Sequence, residues 1–172
     1  MCSQPSRRRT PSPGEHVDAL KKALVDVAQE SFFSFAEDCS SERFSEALKM
    51  VAAAEGDPGS RWLSSYVDFD GAFAGRVTVI LPFALATDMA AAIAGLMPGD
   101  RIEQPLVFDA TGEFANMVCG TWLTRACVHR RFDLSPPAVS VMPVTPSEAD
   151  GNEELLLVND WPVKLVVAFA AA

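Results

Sequence analysis

Glu113 and Asn116 lie three residues apart in the run DATGEFANMVCGTWLTR, which extends from Asp109 to Arg125. On a helix, residues three and four apart are neighbours, so this carboxylate and carboxamide share a face. Asn116 does not titrate and cannot act as a general base. Its coplanar carbonyl acceptor and two N–H donors instead suit it to holding a water in a chosen orientation. Glu113 supplies a negative charge for a cation on a partner. Gly120 continues the same face with no side chain. Glycine inside a helix costs up to ~1 kcal/mol relative to alanine, and close approach of another molecule would offset that cost. The chemistry suggested is positioning catalysis on a substrate presented by another protein.

One helix must carry these residues. Asp109 can serve as its N-cap, although the helix has room to begin earlier, and Arg125 near the far end suits the negative pole. Phe114, Met117, Val118 and Thr121 recur at helical spacing and form the expected buried stripe.

The bulk composition narrows the partners. The chain has 172 residues, 49% of them hydrophobic, which is enough for one domain with a proper core. Its net charge is −9, and Arg7, Arg8 and Arg9 sit in the N-terminal tail, so the remainder is more acidic still. Such a body argues against nucleic acid or an anionic membrane as the main partner. Cys2, Cys39, Cys119 and Cys127 form no CxxC pair and no staple-like spacing, which fits a reducing compartment. No apolar segment suggests a signal peptide or reaches the ~20 residues that span a bilayer. A cytoplasmic location is expected.

In chain order, residues 1–14 read as a disordered basic tail and 15–172 as a single domain. An amphipathic helix is predicted from Glu15 to about Asp38, and a second helical piece from Ser41 to Ala54. A hairpin follows, Trp62–Phe69 and Gly75–Leu81, with a turn signal at Asp70-Gly71. Pro82 opens an apolar helix over Phe83–Met97, which Pro98-Gly99 ends. After the Asp109–Arg125 helix, Leu134-Ser-Pro-Pro137 leads into a strand over Ala138–Val144. Glu153–Asn159 and Pro162–Ala170 are the last β-rich runs, able to pair through Asp160-Trp161-Pro162. They either form an internal hairpin or offer sheet edges for a homodimer. The fold class predicted is α+β, a mostly antiparallel sheet of five or so strands with long helices packed on one face.

The chain resembles the CheC/CheX/FliY family of chemotaxis phosphatases, most nearly the CheX type. That family's signature is Asp or Ser, three residues, Glu, two residues, Asn, and a proline about twenty residues on. The matching positions are Asp109, Glu113, Asn116 and Pro136 or Pro137, the proline standing a few residues closer than usual. The runs ATGEFANMVCG, GRVTVILP and LSPPAVS carry the wider similarity, over roughly 60–145. Two-site members have a second Glu–Asn pair on the first helix. Here Glu30 is followed by Phe33 where asparagine is needed, which implies at most one active site.

The resemblance implies hydrolysis of the aspartyl phosphate on a CheY-type receiver domain of a response regulator. Asn116 would orient the attacking water and Glu113 would pair with the receiver's lysine. Asp109 would support the helix or touch the partner, and Gly120 would let the helix insert. The chain would need no cofactor of its own, Mg being expected on the receiver. A catalytically silent binding or scaffold module, or a structural subunit akin to flagellar switch proteins, are the alternatives.

Other candidates are weaker. His16 and His129 are the two histidines, and surface roles are expected of both. Cys119 and Cys127 read as buried small hydrophobes. Asp68 and Asp70 with Gly71 resemble half a metal loop, but a hairpin turn explains them.

Overall fold

The structure, a computed structural model, describes residues 13–53, 61–97, 100–142 and 152–170. The expected tail (residues 1–12 of it), Pro98-Gly99, Val144 and most of the 145–152 loop lie outside the described residues. Four helices occur among them: α1 (Pro13–Ser31), α2 (Ser41–Ala53), α3 (Phe83–Ala94) and α4 (Gln104–Ala126). The strands are β1 (Ala36–Asp38), β2 (Trp62–Gly71), β3 (Gly75–Pro82), β4 (Phe132–Leu134), β5 (Ala138–Met142), β6 (Asn152–Val158) and β7 (Trp161–Phe169).

The strands form one sheet in the order β1-β6-β7-β3-β2-β4, with β5 also paired to β2. Every pairing is antiparallel. Alternation along the central strands sends Leu63, Val67, Val77, Val79, Leu81, Val163, Leu165 and Val167 to one face. There they meet Leu20, Leu24 and Val27 of α1, Leu85 and Met89 of α3, and Phe114, Val118 and Trp122 of α4 in one hydrophobic core. The long helices thus share one face, as predicted. The remaining helix, α2, covers the opposite face, its Val51 packing with Trp62 and Ile80.

Several boundaries differ from expectation. The first helix stops at Ser31, because Phe33 turns left-handed at φ 51° and the Ser34 N–H donates to the Ala28 carbonyl at 2.9 Å. The chain beyond runs extended as β1 on the edge of β6, so Glu15–Asp38 is not one helix. Glu30 ends up exposed in the last turn of α1, and Phe33 lies beyond that helix. The apolar α3 ends at Gly95 (φ 64°) rather than at Pro98-Gly99, since glycine adopts the left-handed cap without steric cost. The last turn is Asn159-Asp160, both at positive φ, and Trp161 and Pro162 belong to β7. Because β7 runs between β6 and β3, the last hairpin is internal. The sheet's outer edges are β1 with the start of β6 on one side, and β4 and β5 on the other.

The β4–β5 edge braces the fourth helix. Along β2, β4 pairs with residues 69–71 and β5 with residues 62–66. At the gap between them the Ser135 N–H donates to the Asp68 carbonyl (2.9 Å) and the Ser135 hydroxyl accepts from the Asp68 N–H (3.0 Å). Pro136 and Pro137 follow and bring the chain against α4.

An aromatic cluster locks α4 to this frame. Trp122 is fully buried, with ring centroids of Phe69 at 5.3 Å, His16 at 5.8 Å and Phe169 at 6.4 Å. The expected surface role for His16 is overturned, since only 5% of it is exposed. Because α1 begins two residues before Glu15, its first turns carry His16 over Trp122. His129 is exposed, as expected. Removing a buried tryptophan side chain costs ~3–5 kcal/mol. Trp122→Ala is therefore expected to lose that much in urea unfolding; a loss below ~1 kcal/mol would contradict the central place given to this ring.

Candidate functional site on the outward face of the fourth helix

The sequence explains why α4 starts early. Gln104-Pro105 places proline in the first turn, where its missing N–H is no loss, and Glu103 takes the N-cap position. Asp109 is therefore not the N-cap; it sits in the second turn, exposed. Arg125 occupies the last turn, as expected, and its guanidinium pairs with Asp26 of α1.

The buried side of α4 is broader than the stripe read from the sequence. Phe114 and Val118 are fully buried as predicted, but Met117 and Thr121 are half-buried. The inward face is instead completed by Ala115, Cys119, Trp122 and Leu123. Positions 115, 118, 119 and 122 also follow i, i+3, i+4, i+7, and that spacing could have found them. Burial pushes the Cys119 thiol up to about 12, consistent with an inert core position. Cys127 is buried too, and burial likewise raises its thiol.

On the outward side Asp109, Glu113, Asn116 and Gly120 are in line. At ~100° per residue they span only about 60° of arc over roughly 16 Å of helix. Asp109 and Glu113 are exposed, while Asn116 and Gly120 are half-buried. Among the described residues, no hydrogen bond or ion pair engages the side chains of Asp109, Glu113 or Asn116. All four predicted site residues are thus brought together. Asn116 and Gly120 line a shallow groove of about 480 Å³, with Met117, Thr121, Thr124 and Leu134.

The two glycines of α4 have different surroundings. A Cβ on Gly112 would stand 3.2 Å from Pro137 Cγ and 3.4 Å from Val139 Cγ2. Gly112 therefore lets the β4–β5 connection lie on the helix, and of the two candidate prolines Pro137 is the one in contact. The sequence reading missed this role. Among the described residues, a Cβ on Gly120 would find only Leu134 Cδ1, at 3.9 Å. No described residue demands glycine there.

Among the described residues, no group of three or more His, Cys, Asp or Glu side chains is placed to hold an ion. Asp68 is engaged by Arg76 at 2.6 and 3.0 Å, and that guanidinium holds its carboxyl below the usual range. No described helix is long and apolar enough to cross a membrane.

The sequence profile of the family described as chemotaxis phosphatase CheX matches residues 63–154, a span that contains the whole of α4. No curated protein sequence matches the chain. Several solved structures share the fold. The chemotaxis protein CheX of Vibrio vulnificus is 18% identical, with 93% of this chain and 99% of that one covered at a TM-score of 0.63. A CheX–CheY–BeF3–Mg2+ complex from Borrelia burgdorferi is 13% identical, with 95% and 100% covered at 0.65. FliY of Thermotoga maritima is 14% identical, with 91% and 87% covered at 0.54.

The contrast between the glycines is testable. Gly120→Ala should stabilise the fold by about 0.5–1 kcal/mol, because it gains helix propensity in open space. Gly112→Ala should show no such gain, since Pro137 must move. Equal shifts at both positions in urea unfolding would refute the contrast between a packed Gly112 and an open Gly120.

Proposed function

The chain belongs to the family of the chemotaxis phosphatase CheX, and from that premise we propose that it hydrolyses the aspartyl phosphate on a CheY-type receiver domain. The observation that carries this proposal is the strip Asp109–Glu113–Asn116–Gly120. It is polar, unengaged by the described residues, and set on a helix whose other side is buried.

Catalysis of phosphoryl transfer is mainly positioning and electrostatics. A phosphorylated receiver presents an acyl phosphate beside its own Mg2+ and lysine. The BeF3 in the Borrelia burgdorferi complex stands in for such a phosphoryl group. What is missing is a water held in line with the bond to be broken, and good positioning of a reactant can be worth several kcal/mol. The Asn116 carboxamide accepts from that water through its carbonyl or donates through its N–H groups, fixing its direction without taking its proton. Glu113, one turn nearer the helix start, pairs with the receiver's lysine and sets the register of docking. Asp109 touches the partner a further turn away. Gly120 keeps the helix surface low where the receiver comes closest. The Mg2+ belongs to the receiver, and the place of action is the cytoplasm.

A silent binding module would dock in the same way and release nothing, so the two readings separate in one assay. Asn116→Ala should slow phosphate release from a phosphorylated CheY-type receiver by about 100-fold or more, with receiver affinity within about twofold of the unmodified chain. Release at the unmodified rate would remove Asn116 from the mechanism. Glu113→Ala should weaken docking, and a double-mutant cycle with the receiver's lysine should give a coupling of about 1 kcal/mol or more. A coupling near zero would rule out that pair.

A further inference from the structure

The groove at Asn116 does not end at Gly120. A second hollow of about 330 Å³ shares Gly120, Thr124 and Leu134 with it and continues to Arg130 and Arg131. The strip that starts with the carboxylates of Asp109 and Glu113 therefore finishes, beyond α4, at two guanidinium groups. This is an unusual place on a chain of net charge −9. Both arginines are exposed, and neither forms an ion pair with any described residue. Arg125 also borders the groove, but Asp26 offsets its charge. Asp133 lines the far hollow as well, leaving that end net cationic.

The backbone that carries this pair is held in place. The turn after α4 closes with the Arg130 N–H donating to the Cys127 carbonyl at 3.0 Å. Residue 131 then leads directly into β4, where Phe132 pairs with Gly71. A Cβ on Gly71 would fall 2.4 Å from the Arg131 carbonyl oxygen, so that close approach requires glycine. The Phe132 ring packs on Phe73 at 5.0 Å and on Phe69 at 6.3 Å. The two cations thus project from a fixed backbone.

Given a phosphorylated receiver as the substrate, an assignment on which this inference rests, we propose that Arg130 and Arg131 form an electrostatic docking surface for the acidic rim of that receiver. The partner's chemistry supplies the complement. An aspartyl phosphate is an anion, and because the Mg2+ beside it is itself held by carboxylates whose charge it offsets, the phosphoryl group keeps the receiver's site negative. A chain of net charge −9 repels an anionic site at long range, and a cationic patch at one end of the docking groove offsets this and orients the approach. The arginines act on encounter and stay outside the hydrolytic step.

The test uses the full chain and a CheY-type receiver loaded with Mg2+ and BeF3. Arg130→Glu with Arg131→Glu should weaken binding about tenfold at low salt, chiefly through slower association, and the difference should shrink in ~0.5 M salt as charges are screened. The neutral pair Arg130→Gln with Arg131→Gln should fall between, and unchanged melting temperatures would confirm that all variants fold. With a phosphorylated receiver, the charge-reversed chain should raise KM about tenfold and leave kcat within twofold. Equal affinity and equal salt dependence for all variants would overturn the docking surface, as would failure of the unmodified chain to bind any receiver of a panel. Binding that follows charge as expected, without phosphate release, would leave the docking surface standing and overturn the phosphatase assignment instead.

Discussion

Trp122 stands where α4, α1 and the β2–β3 hairpin meet, and its burial fixes how α4 is rotated about its own axis. A helix with Val107, Phe114, Val118 and Trp122 turned into the core cannot roll without exposing large apolar surface, at ~25 cal/mol per Å². The residues that remain outside are then determined. Gly112 against Pro137 adds a second restraint, since the β4–β5 connection bears on the helix where its Cβ would be. Together these contacts keep Glu113 and Asn116 facing outward in a fixed register. Functional groups supported by packed secondary structure hold their geometry better than groups on loops.

The same helix is buried on one side and carries the proposed docking strip on the other. Its two glycines mark the division, one required by the chain's own packing and the other surrounded by open space. Charge is divided along the groove in a similar way. Carboxylates occupy the helix at Asp109 and Glu113, the uncharged Asn116 and Gly120 come next, and arginines lie past its end. An extended surface with separated charges sets the direction in which a partner lies, as well as its position.

The outward strip is legible in the sequence because it requires only that a helix exist. Spacings of three and four residues bring Asp109, Glu113, Asn116 and Gly120 together whichever residue begins that helix. The start itself is not legible, because Asp109 makes a good cap in isolation and Gln104-Pro105 makes a better beginning in context. The three-residue strands β1 and β4 escape sequence reasoning, since their stability comes from the edges of β6 and β2 and not from local pattern. The burial of His16 is hidden for a related reason, as its aromatic neighbours come from three distant parts of the chain. Gly112 looks like any other glycine until Pro137 is seen against it. Tertiary contacts decide each of these, and periodicity carries no information about them.

The central claim is that one face of α4 lends an uncharged amide to a hydrolytic water on another protein. A crystal structure of this chain with a CheY-type receiver carrying Mg2+ and BeF3 would test it most directly. The Asn116 carboxamide should then lie within about 3 Å of a water in line with the beryllium, and the Glu113 carboxylate against the receiver's lysine. A receiver seated on the open sheet face or on α2, with Asn116 still in solvent, would contradict it.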